Sequence, residues 1–165
     1  MSGIKQRLMQ PTGLEFHEKA YEIDKAVWDF IRFEFKNRST KEDGDKRKNS
    51  EKHVSNIPTR YWQTHAVPLH RECWQLISSI TMANSVYPAT DEELAERRKH
   101  QQDAIGHNAN ILQLLRLILT EIPSVSANKV SGIAELVAQE NDLLRAWKRS
   151  SRILGQKKEK APGNR

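Results

Sequence analysis

Four stretches of the sequence carry apolar residues at every third or fourth position, and this spacing constrains the fold more than any other feature. Apolar side chains at that spacing lie on one face of an α-helix, and helices bury such faces by packing against one another. Seven glycines and six prolines are few for 165 residues, and they fall largely between the stretches. The pattern predicts an all-α protein, an up-and-down four-helix bundle in which turns that are mostly short join the helices.

Start and stop signals place the four predicted helices along the chain. Threonines followed three residues later by glutamate, at Thr12–Glu15 and Thr90–Glu93, have the spacing of capping boxes. A proline at Pro68 suits the first turn of the second helix. In chain order, the predicted helices start at Thr12, Pro68, Thr90 and Lys129, and the last three end near Tyr87, Ile122 and Ile153.

The apolar positions of these helices form the predicted core. They are Phe16, Ala20, Ile23, Val27, Phe30, Ile31 and Phe35; Leu69, Cys73, Leu76, Ile77, Ile80, Ala83 and Tyr87; Leu94, Ala104, Ile105, Ile111, Leu112, Leu115, Ile118, Leu119 and Ile122; and Val130, Ile133, Ala134, Val137, Leu144 and Trp147.

Three segments outside the helices are predicted not to join the core. Residues 38–52 contain no aliphatic or aromatic side chain and cannot bury a face, so 38–60 is predicted to be a mobile, charged loop between the first two helices. Residues 1–11 are predicted to be a flexible N-terminus, and 154–165 a basic, disordered C-terminal tail. The bundle itself is predicted to occupy 12–153.

Positive charge is concentrated at the C-terminus. The chain carries a formal net charge of +6, yet residues 145–165 alone hold eight basic side chains against one acid. The rest of the chain is therefore close to neutral, and a segment of this kind is typical of proteins with an anionic partner.

Several classes of function lack their sequence signals. The sequence contains no glycine-rich phosphate loop, no HExxH and no CxxC, so no cofactor and no metal site is predicted. The single cysteine, Cys73, excludes an intramolecular disulfide, and no apolar run is long enough to cross a membrane. These features predict a cytoplasmic protein without a membrane partner.

One pattern leaves an enzymatic alternative open. Arg60 and His65 have the Arg-x-x-x-x-His spacing, which resembles the catalytic motif of helical HEPN-type ribonucleases. In such a site the histidine would act as a general acid or base, and the arginine would stabilise charge on phosphate. A general protein-interaction bundle with no role in RNA binding is a second alternative.

The end of the fourth helix carries the strongest chemical signal. Around Trp147, cations at Arg145, Lys148, Arg149 and Arg152 recur on successive turns, a pattern that offers phosphate pairing beside a surface for stacking. The alternative is that Trp147 belongs to the core and that the cations complement the helix dipole. Because the dipole accounts for only two or three of the eight cations, anion binding is favoured.

Three segments together resemble a known family. They are ITMANSVY at 80–87, ERRKHQQDA at 96–104 and ENDLLRAWKRS at 140–150. In this order they resemble the Avd-like four-helix bundle proteins, the accessory subunits of reverse transcriptases in diversity-generating retroelements. A related bundle family, encoded within ribosomal RNA intervening sequences, shares the architecture, and fold alone does not separate the two.

The resemblance implies a non-catalytic subunit that binds a reverse transcriptase and its template RNA and assembles into a homo-oligomeric ring, pentameric where known. It implies that a basic surface contacts RNA or polymerase. The residues predicted to form this surface are Arg97, Arg98, Arg145, Lys148, Arg149 and Arg152, together with Lys157 and Lys158 of the tail.

Overall fold

A computed structural model describes residues 11–35 and 57–154, and all regular structure in these ranges is helical. The helices are α1 (Pro11–Glu34), α2 (Val67–Ser85), α3 (Asp91–Glu121) and α4 (Ala127–Ser150), and a π-helical turn (Trp62–Ala66) leads into α2. The prediction of an all-α four-helix bundle is confirmed. The predictions for 1–10, for 38–56 and for 155–165, with Lys157 and Lys158, lie outside the described residues.

The helices pack in chain order around a closed ring. Each helix contacts the next, and α4 packs against α1. Neighbouring helices run in opposite directions: near the start of α1, His17 contacts Thr81 near the end of α2, and Phe16 stacks on Trp147 near the end of α4. The end of the described chain lies beside the turn between α2 and α3, where the Leu154 N–H donates to the Pro88 carbonyl oxygen at 2.8 Å. No helix in the described part of the chain is long and apolar enough to cross a membrane.

Most of the predicted apolar residues form one continuous core, and two of them, Tyr87 and Leu119, are exposed. Tyr87 is 63% exposed because α2 ends at Ser85 and Val86 is already extended. Leu119 is 37% exposed because Ile118 and Ile122 occupy the buried face of the last turns of α3. Three further predicted core residues, Ile77, Leu112 and Ala134, are only half-buried.

Three polar side chains also lie in this core. Gln101 and Asn108 on α3 and Glu140 on α4 are essentially inaccessible to solvent. The Asn108 Nδ2 group donates to the Val137 carbonyl oxygen at 2.9 Å, and the Gln101 Nε2 group donates to Ser151 Oγ at 2.8 Å. Each of these amides therefore ties α3 to α4 or to the residue that follows it.

The helix starts agree only in part with the sequence-based predictions. The Thr90–Glu93 capping box is present, with the Glu93 N–H donating to Thr90 Oγ1 and the Thr90 N–H to the Glu93 carboxylate. Thr12 is not an N-cap, because Pro11 is already helical. The fourth helix starts two residues before Lys129, since Ser126 is its N-cap.

The start of the second helix at Pro68 was predicted too late. Proline lacks an N–H, so Pro68 cannot donate to the carbonyl group one turn earlier. The chain adapts with a wider turn, in which the Val67 N–H donates to the Trp62 carbonyl oxygen, and the helical conformation continues back to Arg60. Ile57 is buried in the core, so the end of the segment predicted to be a mobile loop is packed.

Candidate nucleic-acid interface

A basic groove runs between α3 and α4 near the C-terminal end of α4. It has a volume of about 430 Å³ and is lined by Arg98, Gln102, Ile105, Arg145, Lys148 and Arg149. The spacing of these residues follows from helix geometry, because side chains three and four positions apart share a face. We call this feature the basic groove; four of its six lining side chains are cations.

The two walls of the basic groove are linked by hydrogen bonds. The Lys148 Nζ group on α4 donates to Gln102 Oε1 on α3, and Arg98 donates to the Ser151 carbonyl oxygen at 2.9 Å. The Arg145 Nε group donates to Asn141 Oδ1 at 3.2 Å. Three of the four cations are thus held by neutral partners, which restrain them without cancelling their charge.

The electrostatics of the basic groove favour an anion. Within the described ranges, no carboxylate lies within ion-pair distance of Arg98, Arg145, Lys148 or Arg149. Lys148 and Arg149 also lie in the last turn of α4, where the helix dipole carries a partial negative charge. That dipole offsets only part of the charge of four cations, so the groove keeps a net positive potential.

Arg97 lies away from the basic groove. Its guanidinium group donates to the Val86 carbonyl oxygen at 3.3 Å and lies 5.6 Å from the ring centroid of Trp147. Burial lowers the pKa of this arginine from its ordinary value. The structure therefore gives Arg97 a packing role between Val86 and Trp147, apart from the other predicted contacts.

Trp147 is a core residue, as the alternative interpretation of the sequence held. Its indole ring is 9% exposed and stacks on Phe16 of α1, with the ring centroids 4.1 Å apart. It cannot offer a free face to a base. The basic groove therefore presents cations and one apolar side chain, Ile105, but no aromatic surface.

The remaining predicted contacts follow α4. Arg152 is exposed in the non-helical segment after α4 and does not line the groove. Ser151, just before it, is fixed by Arg98 and Gln101 of α3. Four of the eight predicted contacts, Arg98, Arg145, Lys148 and Arg149, line the groove. Arg97 and Arg152 lie outside it, and Lys157 and Lys158 are not among the described residues.

The place of Gln102 in the groove and the burial of Gln101, Asn108 and Glu140 in the core were not predicted from the sequence. Gln102 stands four residues after Arg98, so its place on the same face was available from spacing. Gln101 and Asn108 lie three residues before and four residues after Ala104, and Glu140 lies between Val137 and Leu144. Each of them stands where the helical spacing of the apolar residues places a buried position, and this spacing was the sequence signal for their burial.

The possible ribonuclease motif has a geometry that disfavours catalysis. His65 is buried, and its ring nitrogens contact Thr64 Oγ1 at 2.7 Å and the Glu121 carboxylate at 2.8 Å. Arg60 is exposed and its guanidinium group contacts the hydroxyl group of Tyr61. A catalytic role would require His65, whose ring is buried with both nitrogens engaged, to give up one of these contacts to a substrate.

Comparison with known proteins adds no match. No protein-family model, no curated protein and no solved structure matches this chain.

Proposed function

We propose that this chain is a non-catalytic accessory subunit that binds a reverse transcriptase and its template RNA in a diversity-generating retroelement, and so supports mutagenic cDNA synthesis. The observation that carries the proposal is the basic groove, in which four cations converge from two helices and none has a carboxylate partner among the described residues. The resemblance of segments 80–87, 96–104 and 140–150 to Avd-like proteins supplies the identity of the partners.

Phosphate is the RNA group that the basic groove suits best. Arginine pairs with phosphate oxygens through two parallel N–H groups, and lysine contributes a compact charge. Because Trp147 is stacked on Phe16, the groove offers no platform on which a base could stack. We therefore expect binding to depend on the backbone of the RNA more than on its sequence.

Self-association and location complete the proposal. By the same resemblance, the subunit acts as a homo-oligomeric ring, a pentamer, and the sequence features given above are the basis for placing it in the cytoplasm. Exposed aromatic side chains on α1 and α2 supply surface of the kind that protein interfaces use, since Tyr21, Trp28 and Trp74 are all accessible. Sedimentation analysis of the purified chain measures the subunit number directly, and a monomer at all concentrations would contradict the ring.

RNA binding is tested by removing the charge of the groove while the fold is kept. The groove variant carries Arg98→Gln, Arg145→Gln, Lys148→Gln and Arg149→Gln. The control variant removes the same charge from exposed cations elsewhere, through Lys25→Gln, Arg32→Gln, Arg71→Gln and Arg116→Gln. Both should show the helical circular dichroism of the wild type.

The salt dependence of binding to a single-stranded RNA of about 20 nucleotides is the measurement. Four phosphate contacts predict an affinity that falls about 50-fold between 50 and 200 mM salt. The groove variant should lose affinity, and its log–log slope should be smaller by about 3. Equal losses in the two variants would show that the contacts are spread over the surface and would contradict the groove assignment.

The polymerase partner is tested by purification of the tagged chain from cells that express its neighbouring genes. Recovery of a reverse transcriptase with one defined RNA is the expected result. The exposed aromatic face of α1 and α2 favours a second candidate function, a protein-interaction bundle without RNA. That function predicts a copurifying protein that is not a reverse transcriptase and whose recovery is unaffected by nuclease.

A further inference from the structure

His70 on α2 lies at the centre of a cluster of exposed aromatic side chains, on the opposite side of the bundle from the basic groove. Its ring stacks on Trp28 of α1, with centroids 4.9 Å apart, and meets Trp74 edge-on at 6.1 Å. Trp74 is 63% exposed, so the cluster forms part of the surface.

One nitrogen of this ring faces two groups that need opposite protonation states. The Trp74 indole Nε1–H donates to His70 Nε2 at 3.1 Å, which requires a lone pair on that nitrogen. The Asp24 carboxylate oxygen Oδ1 lies 3.3 Å from the same nitrogen, and it can accept only if that nitrogen carries a proton. The two hydrogen bonds therefore exclude each other.

A proton on His70 Nε2 would give the Asp24 carboxylate a hydrogen-bond donor. Its Oδ1 atom is buried and makes no hydrogen bond within the described residues. A buried acceptor without a donor is unfavourable, so a proton on His70 Nε2 would relieve it. The indole N–H of Trp74 loses its acceptor at the same moment, but its exposure allows water to replace the histidine.

Asp24 is the charged group that faces the ring from α1. On α2 itself, Arg71 is exposed and Glu72 is turned towards α3, where His107 and Asn110 contact its carboxylate. The charge balance at His70 Nε2 is thus set mainly by one carboxylate on the neighbouring helix.

We propose that His70 is a proton-operated switch that controls the exposed Trp74 side chain. The neutral ring, protonated at Nδ1, accepts the hydrogen bond of the indole and holds Trp74 on α2. Uptake of one proton from solvent at Nε2 turns the ring towards Asp24 as a donor, joins α2 to α1 by an ion pair, and releases Trp74. Acidification therefore changes the aromatic face that a protein partner would meet.

The test follows the Trp74 indole proton by NMR in the ¹⁵N-labelled full chain, with Trp74→Phe used to assign its signal among four tryptophans. In the wild type, this signal should shift on acidification together with the ring protons of His70. In His70→Gln the shift should disappear. His17→Gln is the matched control, because His17 lies beside Tyr21 on α1 and its loss should leave the Trp74 titration unchanged.

Asp24→Asn gives an independent measurement. Without the carboxylate, the protonated ring has no ion-pair partner on α1, so release of Trp74 should need stronger acidification than in the wild type. A Trp74 signal that does not move with pH in the wild type, or that moves equally in His70→Gln, would overturn the switch. A Trp74 signal that responds to acidification in Asp24→Asn as it does in the wild type would overturn the role of Asp24.

Discussion

Replacing Glu140 with glutamine should make the bundle more stable at neutral pH and should flatten the dependence of its stability on pH. The Glu140 side chain is 0% exposed, and neither carboxyl oxygen has a hydrogen-bond partner among the described residues. Burial raises the pKa of Glu140 from 4.5 to about 9, and the positive charge of Lys19 offsets only part of this rise. The group is thus neutral in the folded protein at pH 7 and ionised in the unfolded chain.

The two pKa values give the sign and the size of the effect. Because the folded pKa lies above the unfolded one, the stability associated with the neutral group is complete below pH 4.5 and is lost as the pH rises towards 9. Each pH unit in that window lowers the free energy of unfolding by about 1.4 kcal/mol. At pH 7 the total loss from Glu140 is therefore about 3 kcal/mol, which glutamine, having no proton to lose, avoids.

Urea unfolding, followed by circular dichroism at about pH 5, 6, 7 and 8, measures this difference for the wild type and Glu140→Gln. The two free energies of unfolding should be similar near pH 5 and should separate progressively above it. Glu135→Gln is the control, since Glu135 is an exposed acid on the same helix. Parallel pH dependences for wild type and Glu140→Gln, or a variant that is less stable at pH 7, would refute the argument and indicate an ionised, paired Glu140.

Two further substitutions test the structural roles of Arg97 and Thr90. Arg97→Gln removes the hydrogen bond to Val86 and the contact with Trp147, so it should lower the free energy of unfolding by about 1–2 kcal/mol while RNA affinity stays within about twofold of the wild type. A loss of RNA affinity as large as that of the groove variant would place Arg97 in the interface instead. Thr90→Ala removes the N-cap of α3 and should cost about 1 kcal/mol in urea unfolding, whereas Thr90→Ser should keep most of the stability; equal losses would contradict a capping role.

The spacing of apolar residues made the helices and most of the core predictable. A helix that buries one face shows this spacing regardless of which other helices it packs against. Capping chemistry was predictable at Thr90, where threonine and glutamate both contribute. The same prediction was wrong at Thr12, because threonine and glutamate three residues apart also occur inside helices. The early start of the second helix depended on how a chain accommodates Pro68, for which the sequence offers more than one solution.

The candidate site was harder to predict, because it depends on how two helices are rotated against each other. Spacing alone places Arg145 and Arg149 on one face of α4, but it does not say that Arg98 stands on the opposite wall. Adjacent arginines at 97 and 98 look equivalent in sequence. The structure separates them because successive side chains on a helix point about 100° apart, so one packs on Trp147 and the other enters the groove.

The unequal connections between helices carry a consequence for the order in which the bundle forms. Within the described ranges, the next helical residue after Glu34 is Arg60, 26 positions later, whereas only 86–90 and 122–126 connect the other pairs. For a flexible chain, closing a connection of the longer length costs about 1.4 kcal/mol more in chain entropy than closing either short one. We therefore expect α2, α3 and α4 to assemble first and α1 to dock last. The basic groove is built from α3 and α4 alone, so it belongs to the part of the molecule that forms before the bundle is complete.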